Sequence, residues 1–86
     1  MFTVYVLHSR RFNKIYIGYT SDLPARLDSH NIYSNKGYTV KYRPWIVVHT
    51  EKYNTKKEAL SREKQLKSAK GRKFIWGLIQ NQDGSA

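Results

Sequence analysis

The chain opens on an apolar, aromatic and β-branched run, Phe2-Thr3-Val4-Tyr5-Val6-Leu7, which predicts a strand from Phe2 to His8. A second such run, Ile15 to Thr20, follows the polar stretch Ser9-Arg10-Arg11-Phe12-Asn13-Lys14, so the two form an antiparallel hairpin. Phe2, Val4 and Val6 fall on one face of the first strand and Tyr5 and Leu7 on the other. A strand apolar on both faces belongs in the middle of its sheet. Pairing Tyr5 with Tyr16 would set His8 opposite Asn13 and project both tyrosines from the same face.

Further along, Thr20-Ser21-Asp22 supplies helix-capping side chains, and Pro24 suits the first turn of a helix reaching about His30. Positions 31–44 mix Asn, Ser, Gly and Pro with three tyrosines and no clear period, which predicts an irregular, mostly polar connection. Trp45 to Tyr53 reads as a third strand. Thr55-Lys56-Lys57-Glu58 matches a capping box that opens a helix of about fifteen residues, with Gly71 as its stop. A short last helix is expected over Lys73 to Gln80, and positions 82–86 as a frayed tail after one domain spanning 1–81. The order β-β-α-β-α-α makes this a small α+β fold.

Charge changes the picture next. Sixteen Lys and Arg against six Asp and Glu leave +10 on 86 residues, which favours a polyanionic partner. The densest basic stretch, Lys56 to Lys73, offers only Ala59, Leu60, Leu66 and Ala69 as apolar cover. That is enough to dock on a small core but not to make a membrane-surface helix, so nucleic acid is the favoured partner. A hydrophobic fraction of 40% excludes a disordered basic tail. The absence of cysteine excludes disulfides, a thiolate zinc site and a cysteine nucleophile. The N-terminus lacks a basic region and a cleavage site and reads as a strand, so a cytoplasmic globular domain is expected.

Two polar placements stand out. At about 100° per residue, Glu63 falls between Ala59, Leu60 and Leu66 on the apolar side of its helix. A carboxylate there is either paired with a Lys or Arg, or aimed at a cleft where it holds a divalent cation. On the first helix, Arg26 and His30 lie four residues apart beside Leu23 and Leu27, a pair able to bind and polarise a phosphate. His8 and His49 read as ordinary strand residues, and Tyr19, Tyr33, Tyr38 and Tyr42 as surface packing, with base stacking as the alternative.

These residues, in this order, resemble a known family. Thr3-Val4-Tyr5 followed by Tyr16-Ile17-Gly18 is similar to the paired signature of the GIY-YIG endonucleases, with Thr in place of the first Gly. Asp22-Leu23-Pro24-Ala25-Arg26-Leu27-Asp28-Ser29-His30-Asn31 resembles that family's first helix. Tyr42-Arg43-Pro44-Trp45 and Glu58 to Lys67 resemble its small stand-alone bacterial branch, related to the N-terminal nuclease domain of the ABC excinuclease. The likeness covers about residues 2–80.

The resemblance implies a three-stranded antiparallel sheet flanked by helices, and divalent-metal-dependent hydrolysis of DNA phosphodiester bonds in repair or processing. It implies Tyr16 as general base, Tyr5 as the residue positioning water or phosphate, and Arg26 as the stabiliser of charge on phosphorus. His30 would be a proton relay or phosphate ligand, and Glu63 the one protein ligand of Mg²⁺ or Mn²⁺. Branched, damaged or non-specific duplex DNA is the implied partner, with low sequence specificity, no small-molecule cofactor and no membrane. Two features depart from larger relatives: Tyr19 stands where some carry a lysine, and Asn81 is the only candidate for their late asparagine. The alternative is a nucleic-acid-binding module that keeps the fold without the catalysis.

Overall fold

The computed structural model describes residues 1–33 and 37–83, with the side chains of Tyr33, Gln82 and Asp83 excepted. Three strands, β1 (Phe2–Ser9), β2 (Lys14–Thr20) and β3 (Ile46–Tyr53), form an antiparallel sheet in the order β2-β1-β3. The first strand is central, as its two apolar faces require. Between β2 and β3 lie α1 (Leu23–Asp28), a π-helical turn over Ser29–Tyr33, and the short α2 (Tyr38–Lys41). After β3 come α3 (Lys56–Lys67) and α4 (Ala69–Asp83). None of the described helices is long and apolar enough to cross a membrane.

Each face of β1 builds its own core. Val4 and Val6 join Ile15 and Ile17 of β2 with Ala59, Leu66, Ile75 and Ile79 of α3 and α4. On the opposite face Tyr5, Leu7 and Trp45 pack with Tyr16, Leu23, Leu27 and Tyr42. The helices therefore cover both faces of the sheet.

The hairpin register differs from the expected one. Tyr5 pairs with Gly18 and Leu7 with Tyr16, two residues away from a Tyr5–Tyr16 match. The reason is local: Asn13 takes a left-handed conformation at φ 54°, so it closes the loop and β2 begins at Lys14. A shift by two preserves the faces, so Tyr5 and Tyr16 still project to the same side. His8 reaches Asn13 by its side chain, Nε2 to Oδ1 at 3.3 Å.

Helix ends follow capping chemistry more closely than apolar period. Asp22 Oδ1 accepts from Ala25 N and starts α1 at Leu23-Pro24. The α-helix stops at Asp28, short of His30, and gives way to the π-helical turn. The connection expected to be irregular thus holds two helical pieces, while residues 34–36 lie outside the described ones. Thr55 Oγ1 accepts from Glu58 N, but Glu58 takes the hydroxyl proton instead of reaching back to the backbone, so the box closes on itself. Leu60, expected among the apolar positions of α3, is exposed.

Ser68, not Gly71, ends α3. Its backbone turns extended, its Oγ donates to Gln65 O, and the same Oγ accepts from Gly71 N, capping the start of α4. The last helix therefore begins at Ala69 rather than Lys73 and runs to Asp83; the expected tail residues Gly84 to Ala86 lie outside the described ones. Gly71 serves a close approach between helices. A Cβ there would lie 2.3 Å from Gln65 O and 2.4 Å from Leu66 Cα, both backbone atoms with little room to yield. Gly71→Ala should lower stability by about 1–3 kcal/mol, the usual range for overpacking, read as a drop in the urea midpoint at unchanged slope.

One ionic network joins β3 to α3. Glu51 accepts from Arg62 Nε at 2.8 Å, Tyr53 Oη at 2.5 Å and His49 Nε2 at 2.6 Å. Burial pushes this carboxyl up, but the bonds from Arg62, His49 and Tyr53 outweigh it and hold the group down at about 2. A depressed acid stabilises the fold above its unfolded value near 4.5, and that contribution drains away as pH falls towards 2. Glu51→Gln should therefore cost about 1–2 kcal/mol at neutral pH. It should also flatten the loss of stability between those two pH values, as followed by circular dichroism in acid titration.

Candidate active site

The two tyrosines, the arginine and the histidine singled out in the sequence meet on the sheet face covered by α1. Tyr5 is 1% exposed, and its hydroxyl lies 3.0 Å from His30 Nε2. The Arg26 guanidinium lies close enough to both Tyr5 and Tyr16 for its charge to be felt there. The Tyr16 ring centroid is 6.3 Å from that of Tyr5 and 4.8 Å from that of His30. The Tyr5 hydroxyl has a proton to give, and His30 Nε2 is the acceptor within reach.

Gly18 makes this geometry available. It sits directly opposite Tyr5, and a Cβ there would fall 2.6 Å from the Tyr5 Oη and 3.2 Å from the Tyr16 ring. Any side chain at this position would displace the phenol from its partners.

His30 is presented by the π-helical turn, and four hydrogen bonds hold that turn in place. Arg43 Nε donates to His30 O at 2.6 Å and its Nη2 to Ser29 O at 3.4 Å. Asn31 brackets the backbone of Trp45, accepting from its N at 2.7 Å and donating to its O at 3.1 Å. The Trp45 indole then donates to Thr39 O at 2.7 Å. Asn31, Arg43 and Trp45 stand in the motifs that carry the family resemblance, but their supporting role was not legible in the sequence.

Glu63 is 16% exposed and ion-paired with Lys67, four residues on, at 3.3 Å. Its charge is close enough to be felt at Tyr5. The carboxylate is thus paired, as one of its two readings expects, and it lines neither of the clefts beside Tyr16. Asn81 is exposed near the end of α4 and lines neither of the clefts beside Tyr16.

Those two clefts flank the Tyr16 ring. One of about 250 Å³ is lined by Tyr16, Arg26, Ser29, His30, Tyr38 and Thr39. The other, about 360 Å³, is lined by Ile15, Tyr16, Ile17, Tyr38, Lys67 and Arg72. Three consecutive residues of β2 face the second cleft, which places it along the free edge of that strand. Larger clefts on the β3 side share Arg62, whose guanidinium is engaged by Glu51.

The electrostatics divide the cluster by role. Burial raises the Tyr5 phenol, against the nearby Arg26 guanidinium, so Tyr5 stays protonated at neutral pH. Burial also lowers His30, helped by the positive charges of Arg26 and Arg43, so its imidazole is neutral and able to accept a proton. Arg26→Gln should therefore raise the His30 pKa towards the ordinary 6.5, a change read by NMR titration of its ring protons. An unchanged or lower value would mean that Arg26 does not face the imidazole.

A phenol pair, a guanidinium and a neutral imidazole thus gather on one face of a three-stranded antiparallel sheet in a small α+β domain. The family model described as the GIY-YIG catalytic domain matches residues 1–75, and the chain belongs to that nuclease family. Among its relatives, a UPF0213 protein of Bacillus velezensis is 41% identical over 66 residues, spanning 73% of this chain and 67% of the relative. A UPF0213 protein of Staphylococcus haemolyticus is 38% identical over 56 residues, spanning 65% and 68%. The solution structure of a UPF0213 protein from Bacillus halodurans matches with a TM-score of 0.53 at 28% identity, covering 91% of this chain and 85% of that one. Membership of a nuclease family implies a nucleic-acid substrate in general.

Proposed function

We propose that this protein is a metal-dependent endonuclease that hydrolyses DNA phosphodiester bonds with low sequence specificity, in DNA repair or processing. The observation that carries the reading is the convergence of Tyr16, Arg26 and His30 on the wall of one open cleft, with Tyr5 hydrogen-bonded to His30 behind it.

The scissile phosphate would enter the cleft of Arg26 and His30. Arg26 is exposed at its rim and meets the negative charge that develops on the phosphoryl oxygens. Tyr16, reacting as its phenolate, takes the proton of the attacking water, and the Arg26 guanidinium beside it offsets the negative charge of that oxygen. Tyr5 keeps its own proton and positions His30 through its hydroxyl. Neutral His30 carries the proton onward.

Glu63 fits a hard divalent cation. It is one mostly buried carboxylate with a displaceable lysine, and no group of three His, Cys, Asp or Glu competes with it among the described residues. Mg²⁺ is content with one or two carboxylates, keeping waters and phosphate oxygens as its other ligands. Such an ion, Mg²⁺ or Mn²⁺, would supply neutralising charge to the phosphate.

The test is nicking of supercoiled plasmid by the parent protein, Glu63→Ala and Arg26→Ala, with Mg²⁺ or EDTA. Nicking should occur with Mg²⁺ alone and vanish in Glu63→Ala. Arg26→Ala should slow turnover by about 10²–10³-fold, the usual cost of losing one charge-stabilising donor, with a smaller effect on DNA affinity. DNA bound but left uncut, across several metals and branched substrates, would make the protein a binding module instead.

A further inference from the structure

The nuclease reading leaves Tyr38 without a task, yet this side chain lines both clefts beside Tyr16. Its hydroxyl donates to the Ile15 carbonyl at 3.3 Å, which fixes the ring against the free edge of β2. Behind it the ring lies 31° from the planes of both Trp45 and Tyr16, at 5.9 and 6.5 Å between centroids. Tyr38 is nevertheless 45% exposed. A ring supported from behind and open in front is a stacking platform, because its conformation is settled before any ligand arrives.

Cations surround this platform. Arg72, in the first turn of α4, lines the β2-edge cleft and is close enough for its charge to be felt at the Tyr38 phenol. It has no carboxylate partner among the described residues. Lys67 lines the same cleft from the end of α3, its side chain 55% exposed and its ammonium shared with Glu63. The Ser68 elbow brings these two together by ending one helix and starting the next within a single residue. On the other side Tyr42 meets Tyr38 edge-on at 4.8 Å, with the ammonium groups of Lys14 and Lys41 at 5.5 and 5.6 Å from its own ring.

We infer that the β2-edge cleft takes the nucleotide next to the scissile phosphate, its base unpaired and stacked on Tyr38, its phosphate held by Arg72 and Lys67. The two clefts share Tyr16 and Tyr38 as common walls, so a strand lying in one continues into the other. A base still paired within a duplex has both faces covered and no edge-on route to the ring. The substrate class this selects is DNA with an unpaired nucleotide at the cut, such as a bulge, flap or single-strand junction, in preference to continuous duplex. The inference rests on the nuclease reading for the position of the scissile phosphate.

The test is equilibrium binding of the full chain in EDTA, where no cutting occurs, to two oligonucleotides of the same sequence. Each carries 2-aminopurine, in one as a single-base bulge and in the other within continuous duplex. The bulged DNA should bind at least tenfold more tightly, with its fluorescence quenched on binding. Tyr38→Leu and Arg72→Gln should each remove about fivefold or more of that preference, weakening binding of the bulged DNA by more than that of the duplex. Tyr38→Phe, which keeps the ring, should retain the preference and the quenching. Equal affinity for the two DNAs, or a preference unmoved by Arg72→Gln, would overturn the inference; Arg72 is exposed, so its variant does not threaten the fold. Because binding is read without metal, its outcome is separate from that of the plasmid assay. Nicking without a bulge preference sinks only the stacking cleft. A Tyr38-dependent preference without nicking sinks only the nuclease.

Discussion

The Tyr5 hydroxyl is the joint on which the molecule turns. A phenol buried to 1% exposure on the central strand cannot leave its oxygen unpaired without losing the worth of a hydrogen bond in an environment that has no water to replace it. His30 supplies the partner and Arg26 a nearby positive charge, and both come from the segment that follows the hairpin. Satisfying one buried group therefore docks the helical layer of Leu23 to Tyr33 onto the sheet and, in the same step, assembles the candidate site. Stability and chemistry share these atoms.

That sharing accounts for the small residues and polar struts nearby. Gly18 is small because the Tyr5 phenol occupies the space above it. Arg43 is polar because the wide turn that carries His30 leaves the Ser29 and His30 carbonyls to be met from outside, and Asn31 because it pairs both backbone groups of Trp45. Basic charge is organised too. Where a cation meets a carboxylate, as Arg62 meets Glu51, it fastens β3 to α3. Arg26 and Arg72, by contrast, stand at cleft walls without carboxylate partners among the described residues.

Legibility in the sequence was uneven, for reasons that differ by element. The central strand was legible because a run apolar on both faces has one stable location. Asp22 and Thr55 were legible as caps because their chemistry is local. The hairpin register was not, since it turned on Asn13 adopting a positive φ, and nothing in a polar loop says which residue will do so. Gly71 misled because glycine marks both helix ends and close contacts, and a sequence does not distinguish them; Ser68 held the capping bonds instead.

Arg26, His30 and Glu63 stood out by residue type and helical angle, which are properties of the local chain, and the family resemblance joined Tyr5 and Tyr16 to them. The basic charge and the α+β class were legible too. What tertiary structure alone decided is how these residues are employed: that Tyr5 is a buried strut behind His30, and that Glu63 is paired with Lys67 within electrostatic reach of the cluster. It also brought Tyr38, Lys67 and Arg72 to one cleft. Those three come from separate helices, and only the packing of both layers around the edge of β2 makes them neighbours.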